Sequence, residues 1–119
     1  MYQIKTDLRT GVIEIVIDGF LMPDDLERFR TELATAAKAV RATGRAQSTL
    51  YDYTGAVIQS QETVAALGHM ARDNPLGTRR TAAFTAGRLA RRQACRIADL
   101  GDHVRMFEDR TAALAWLRA

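Results

Sequence analysis

The stretch from residue 12 to residue 53 constrains the fold most, because it contains a complete strand–helix–strand unit. Residues 12–20 alternate between purely aliphatic and mixed positions, which is the period of a half-buried strand. Residues 23–44 follow with an apolar stripe at helical spacing and end on Gly44, the expected left-handed stop. Residues 48–53 then return to a strand pattern. This order favours two parallel strands joined by a right-handed crossover.

The helix predicted from Pro23 onwards is the best-defined element of the sequence. Asp24 is expected to cap its first turn, with Glu27 reaching back to complete a capping box. Its buried stripe should be formed by Leu26, Phe29, Leu33, Ala36, Ala37 and Val40.

The rest of the chain repeats the alternation of strands and helices. A strand over 2–8 and a turn at Gly11 precede the unit, which predicts an N-terminal antiparallel hairpin. After it come a helix capped by Ser60, a strand over 79–85, a helix over 87–101, a strand over 103–107 and a helix capped by Asp109. With 119 residues the chain is expected to form one α/β domain, in the order β-β-α-β-α-β-α-β-α. The predicted sheet has five strands and is mixed, and four helices accompany it.

Composition and charge narrow the class of protein. The net charge is +3, and Cys95 is the only cysteine, which favours a reducing, cytoplasmic setting. No apolar run approaches a membrane span, and the first residues lack the layout of a signal peptide. A cytoplasmic protein without a transmembrane segment is therefore expected.

The end of the chain carries a family resemblance. Phe107-Glu108-Asp109 is followed by Ala112-Ala113-Leu114-Ala115-Trp116-Leu117, and this ending, together with the order of elements, resembles the SpoIIAA-like superfamily. Within it the chain is most similar to small bacterial proteins of the STAS type, which are often related to CRAL-TRIO lipid-transfer domains. The resemblance covers nearly the whole chain. It implies a SpoIIAA-like fold with a mixed sheet, and many members of this group have no assigned activity.

The resemblance also implies a function for the segment after the third strand. Anti-anti-sigma members carry an Asp-Ser-Ser-Gly motif there, and a partner kinase phosphorylates the second serine. The matching residues are Asp52-Tyr53-Thr54-Gly55, which implies a phosphoacceptor at Thr54. Tyr53 departs from the motif, and the next helix begins only near Ser60. An ordinary strand-ending turn explains the same residue types.

An arginine block provides the second functional hint. Six arginines and no acid lie between residues 78 and 98. Four of them share one helical stripe: Arg88, Arg91, Arg92 and Arg96. The helix start at Gly87 could hold a phosphate or carboxylate with its free N–H groups. A solvated basic face paired with Asp99, Asp102 or Glu108 explains the same pattern. Nucleic acid is not expected as a partner, because aromatic residues do not interleave with the arginines.

The sequence does not indicate an enzyme. His69, His103 and Cys95 show no ligand spacing, and no nucleotide-binding or nucleophile-elbow motif is present. No catalytic residue, metal site or cofactor is therefore expected.

These observations lead to three functional hypotheses. The first is a non-enzymatic regulatory module that binds an anionic small molecule or a lipid headgroup. Its site residues are predicted to be Asp52, Thr54, Gly55, Gly87, Arg88, Arg91 and Arg92, at the carboxyl ends of neighbouring strands. The alternative is an anti-anti-sigma-type protein-interaction module switched by phosphorylation of Thr54. A third hypothesis is a homodimer formed through the less covered face of the sheet.

Overall fold

The computed structural model describes residues 1–57, 59–85, 92 and 102–119. Its strands are β1 (Tyr2–Asp7), β2 (Val12–Ile17), β3 (Ser48–Asp52), β4 (Thr81–Phe84) and β5 (Val104–Phe107). Three helices lie within the described residues: α1 (Pro23–Arg41), α2 (Gln61–Asp73) and α3 (Arg110–Arg118). The further helix predicted over 87–101 falls outside the described residues, apart from Arg92, which is helical and exposed.

The five strands form one mixed sheet in the order β1-β2-β3-β4-β5. β1 and β2 pair antiparallel, and each later neighbour is parallel, which confirms the predicted hairpin and the predicted parallel remainder. The strands are shorter than predicted, since β1 stops before Leu8, β2 before Asp18 and β4 covers only four residues. Parallel pairing brings the carboxyl ends of β2 to β5 to one edge of the sheet.

The larger hydrophobic core lies between the sheet and helices α1 and α2. Ile13, Ile15 and Ile17 of β2 are fully buried on this face, as their spacing predicts. The buried stripe of α1 packs against them and consists of Leu26, Phe29, Leu33, Ala37 and Val40. Phe29 contacts Tyr2 and Tyr51 at ring-centroid distances of 5.3 and 6.4 Å. The apolar side chains of α1, which recur at helical spacing, therefore form a large part of this core.

The opposite face of the sheet packs against α3. Leu50, Ala82 and Phe84 contact Ala113 and Leu117 of this helix. Trp116 lies beneath two guanidinium groups, with Arg80 at 4.9 Å and Arg105 at 5.5 Å from its ring. The apolar residues of the terminal motif thus anchor α3 as expected.

Two arginines of the predicted basic block have a structural role. Arg79 donates to the carbonyl oxygens of Leu117 and Ala119, at 2.9 and 2.6 Å, and Arg80 donates to that of Trp116. These carbonyls belong to the end of a helix, where no intrahelical donor remains. Cations at this position are also attracted to the negative end of the helix dipole. Arg79 and Arg80 are therefore engaged in holding α3.

The predicted cap of α1 is wrong by two residues. Met22 occupies the N-cap position, and Asp25 accepts a hydrogen bond from its backbone N–H at 3.3 Å, where Asp24 and Glu27 were expected to act. Pro23 has no N–H to donate, so the helix can begin at this residue without losing a bond. The cap of α2 is confirmed, since Ser60 Oγ accepts from the Thr63 N–H at 3.1 Å.

The turn before β2 depends on the absence of a side chain at Gly11. Its φ is +79°, and a Cβ there would lie 2.5 Å from the Ala46 carbonyl oxygen. Gly44 has a similar φ of +83° but open space around its Cβ position. Substituting each glycine in turn therefore distinguishes the cost of backbone strain alone from the cost of strain plus a steric overlap.

Gly11→Ala should lower the free energy of unfolding by about 3 kcal/mol, because it adds a clash to an unfavourable φ. Gly44→Ala is the matched control and should cost about 1 kcal/mol, from the φ alone. Urea unfolding followed by circular dichroism measures both. Equal losses in the two variants would show that the approach of the Ala46 carbonyl to Gly11 does not constrain the fold.

Candidate functional site

The carboxyl edge of the sheet brings two loops together. The loop after β2 pairs with the loop after β3 through a parallel bridge between Gly19 and Ala56. The Gly19 N–H donates to the Gly55 carbonyl at 3.0 Å, and the Val57 N–H donates to the Gly19 carbonyl at 3.3 Å. The two loops therefore continue the pairing of their strands beyond the sheet.

A buried glutamine fastens these loops to one another. Gln59 Oε1 accepts from the Leu21 N–H at 2.7 Å. Gln59 Nε2 donates to the carbonyls of Gly19 and Val57, at 2.9 and 2.8 Å. One side-chain amide thus pairs three backbone groups at a largely buried position, where unpaired groups would be costly.

The backbone of Leu21 is held from both sides. Its N–H is bonded to Gln59, and its carbonyl accepts from the Thr63 hydroxyl at 2.9 Å. Thr63 is fully buried at the start of α2, and its hydroxyl also accepts from Ser60. We name this arrangement of Gln59, Thr63 and Leu21 the Leu21 clasp.

The clasp determines which side chains point outwards. Leu21 is buried in the core, while its neighbours Phe20 and Met22 are 57% and 56% exposed. Val57, which follows the bridge on the other loop, is 45% exposed. Phe20 and Val57 each follow a residue of the Gly19–Ala56 bridge, and large apolar side chains exposed close together are typical of interaction surfaces. We call Phe20, Met22, Thr54, Gly55 and Val57 the carboxyl-edge surface.

The predicted site residues of the third strand lie within this region. Asp52 Oδ1 accepts from the Thr54 N–H at 2.9 Å, so the segment forms an Asx turn. Thr54 and Gly55 are exposed. A Cβ at Gly55 would lie 2.9 Å from Asp18 Oδ1, the end of an exposed side chain. Asp52, Thr54 and Gly55 are thus brought together at the expected edge.

Tyr53, which replaces a small residue of the anti-anti-sigma motif, belongs to the core. Its ring stacks on Tyr51 at 5.7 Å with an interplanar angle of 11°. Burial raises the pKa of both phenols well above the ordinary value of tyrosine, so both remain neutral. The Thr85 hydroxyl donates to the Tyr53 carbonyl at 3.3 Å and ties β3 to the end of β4.

The arginine half of the predicted site is not described. Gly87, Arg88 and Arg91 lie outside the described residues, as does Cys95, and Arg92 is exposed.

Among the described residues no group of three or more His, Cys, Asp or Glu could hold a metal ion. His69 is exposed, and its Nδ1 contacts Arg72 at 2.7 Å. No helix in the described ranges is long and apolar enough to cross a membrane.

Sequence reasoning missed Phe20, Met22, Gln59 and Thr63. The run Phe20-Leu21-Met22 before Pro23 carried a signal, because three apolar residues at a strand end cannot all face one core. The sequence contains no such signal for Gln59 and Thr63, because their roles depend on backbone groups that lie about forty positions away along the chain.

Solved structures show which fold this arrangement represents. One match is an uncharacterised protein of the DUF3478 family with a SpoIIAA-like fold from Shewanella loihica PV-4, with a TM-score of 0.70 and 18% identity over 98% of this chain and 92% of that one. Another is the anti-sigma factor antagonist SpoIIAA in its unphosphorylated form, with a TM-score of 0.67 and 18% identity over 99% and 96% of the two chains.

The chain has a SpoIIAA-like fold. No protein-family model matches the sequence, and no curated protein matches it significantly. The resemblance inferred from the sequence is thereby confirmed at the level of the fold.

Gln59→Glu should weaken the clasp in a pH-dependent way. At pH 7 a carboxylate would still accept from Leu21 but would face the Gly19 and Val57 carbonyls without a proton to donate. We expect a loss of about 2–4 kcal/mol of stability at pH 7. The folded-state pKa of the new group should rise above its unfolded value of about 4.3, so stability returns as the pH falls from the raised folded pKa towards about 4.

Gln61→Glu is the control for this variant, because Gln61 is exposed in the first turn of α2, where a carboxylate suits the helix dipole. Urea unfolding at pH 7 and at pH 4.5 compares the two variants. A Gln59→Glu protein as stable as wild type at pH 7 would contradict the role assigned to the amide.

Proposed function

We propose that this chain is a non-enzymatic regulatory module that binds a protein partner through the carboxyl-edge surface. The observation that carries this proposal is the enforced exposure of Phe20 and Met22 on either side of the clasped Leu21. A flexible loop could turn such side chains inwards, but a backbone bonded on both sides of Leu21 holds them in water. Their exposure has a cost that a partner would remove by covering them.

The shape of the surface supports a protein partner. Phe20 and Val57 follow bridged residues on parallel segments and therefore lie side by side. Aromatic and methionine side chains are enriched at the centres of protein interfaces. Because the clasp orders the loops before binding, little conformational entropy would be lost on association. The similarity in fold to an anti-sigma factor antagonist is consistent with this class of function.

Phosphorylation of Thr54 is proposed as a regulator of the same surface. Thr54 is exposed three residues before Val57, and Asp52 already accepts its backbone N–H. A phosphate there would add negative charge next to the Asp52 carboxylate and within an apolar surface, which opposes the docking of an apolar partner. Thr54→Glu should therefore weaken partner binding, whereas Thr54→Val should preserve it.

Binding of an anionic small molecule or lipid headgroup is the second candidate function. It rests on Gly87, Arg88 and Arg91, which lie outside the described residues, and on Arg92, which is exposed. It would use the same end of the sheet. Its test is a rise in the unfolding temperature with phospholipid or acyl phosphate that Arg88→Glu and Arg91→Glu abolish.

Partner binding provides the direct test of the proposed function. A partner isolated with the wild-type chain would be identified, purified and titrated against variants by calorimetry. Phe20→Ser and Met22→Ser should each weaken binding at least about tenfold, since truncating a central interface side chain commonly costs about 2 kcal/mol.

Leu8→Ser is the matched control, because Leu8 is 47% exposed at the opposite end of the sheet. It should leave the affinity unchanged. If Phe20→Ser and Met22→Ser bind as tightly as wild type, the partner surface lies elsewhere and the proposal fails.

A further inference from the structure

A small cavity lies on the α1 and α2 side of the sheet, under α2 and away from the exposed side chains of the carboxyl-edge surface. The centre of a water-sized sphere can occupy about 60 Å³ of it, so the cavity itself is larger than this figure. Its apolar and aromatic lining includes Tyr51, Tyr53, Leu67, Met70, Leu76 and Ala83, and Thr81 and His103 also line it. These apolar and aromatic residues come from β3, α2, the loop after α2 and β4.

The strand register explains why the space is open. Ala83 is paired with Tyr51 on one side and with Met106 on the other. The centre of a buried strand usually carries a β-branched or aromatic residue. A methyl group between two large side chains leaves a gap above the strand, and the ring of Tyr51 forms one wall of it. Protein interiors are otherwise close-packed, so a gap of this size forfeits contacts.

Several polar side chains at the amino end of the cavity are bonded to one another or to the backbone. The Thr49 hydroxyl accepts from Gln47 Nε2 at 2.6 Å, and the Thr78 hydroxyl donates to Gln47 Oε1 at 2.7 Å. The Asn74 side chain bonds the backbone N–H and carbonyl of Thr78, each at 3.0 Å. Within the described ranges no buried side-chain nitrogen or oxygen lacks a hydrogen-bond partner.

These contacts define the chemistry of an occupant. The described residues that line the cavity include no Asp, Glu, Lys or Arg, and an apolar molecule there would contact aromatic rings, leucine methyl groups and the Met70 thioether. The stacked pair Tyr51 and Tyr53 provides a flat wall, which suits a flat molecule.

We propose that the cavity between Tyr51, Ala83 and α2 is a binding site for a small, uncharged apolar molecule no larger than a single aromatic ring. This site is separate from the carboxyl-edge surface and does not depend on its function. Entry would take place beside the loop after α2, where Pro75 is exposed and Leu76 lines the cavity.

Benzene is the probe for this site. Titration of the labelled protein, followed by methyl NMR, should give saturable shifts at Leu67, Met70 and Leu76 but not at Leu117, which is buried on the opposite face. Ala83→Leu should fill the gap and weaken benzene binding at least tenfold. Ala39→Leu is the control, because Ala39 is exposed on α1, and its affinity should equal that of wild type.

Ala83→Val replaces Ala83→Leu if the larger side chain prevents folding, and it should weaken binding in the same direction. The proposal is overturned if the wild-type shifts are absent or do not saturate. It is also overturned if the Ala83 variants bind as tightly as wild type, or if shifts occur only at Met22 and Val57, which would place benzene on the exposed surface.

Discussion

The organisation of the candidate site depends on one side-chain amide. Gln59 pairs the backbone of Gly19, Leu21 and Val57, and Thr63 completes the bonding of Leu21. Without these bonds the two loops at the carboxyl edge would carry buried, unpaired backbone groups. With them, the alternation of Phe20, Leu21 and Met22 is fixed, and two large apolar side chains remain in water.

The sheet that carries this edge is packed against helices on both faces. Its two faces have separate cores, one built on the isoleucines of β2 and the stripe of α1, the other on α3. Arg79 and Arg80 hold the end of α3 by bonding its last carbonyls, and Trp116 contacts two guanidinium groups. The loops at the carboxyl edge are therefore displayed on a sheet that is packed on both faces.

The sequence predicted those features that follow from local periodicity. The isoleucines of β2 and the stripe of α1 were identified correctly because burial selects apolar residues at the spacing of the element. The position of Thr54 at the end of β3 also followed from the turn residues. The cap of α1 was wrong, since Asp24, Asp25 and Glu27 are equivalent as local signals and only the structure shows which one reaches back.

Long-range contacts account for what the sequence could not predict. Gln59 and Thr63 act on backbone groups far away in the chain, and no local pattern distinguishes them from surface residues. The roles of Arg79 and Arg80 were also not predicted, because their partners, the last carbonyls of α3, are distant in sequence.

The most direct test of the central claim is the hydrogen-exchange rate of the Leu21 amide in the free protein. If the clasp holds the loop, this amide should exchange within about tenfold of the Tyr53 amide, which is bonded to the Phe84 carbonyl inside the sheet. If Leu21 instead exchanges as fast as an amide of the exposed turn near Arg9, the loop opens readily and Phe20 and Met22 are not held outwards.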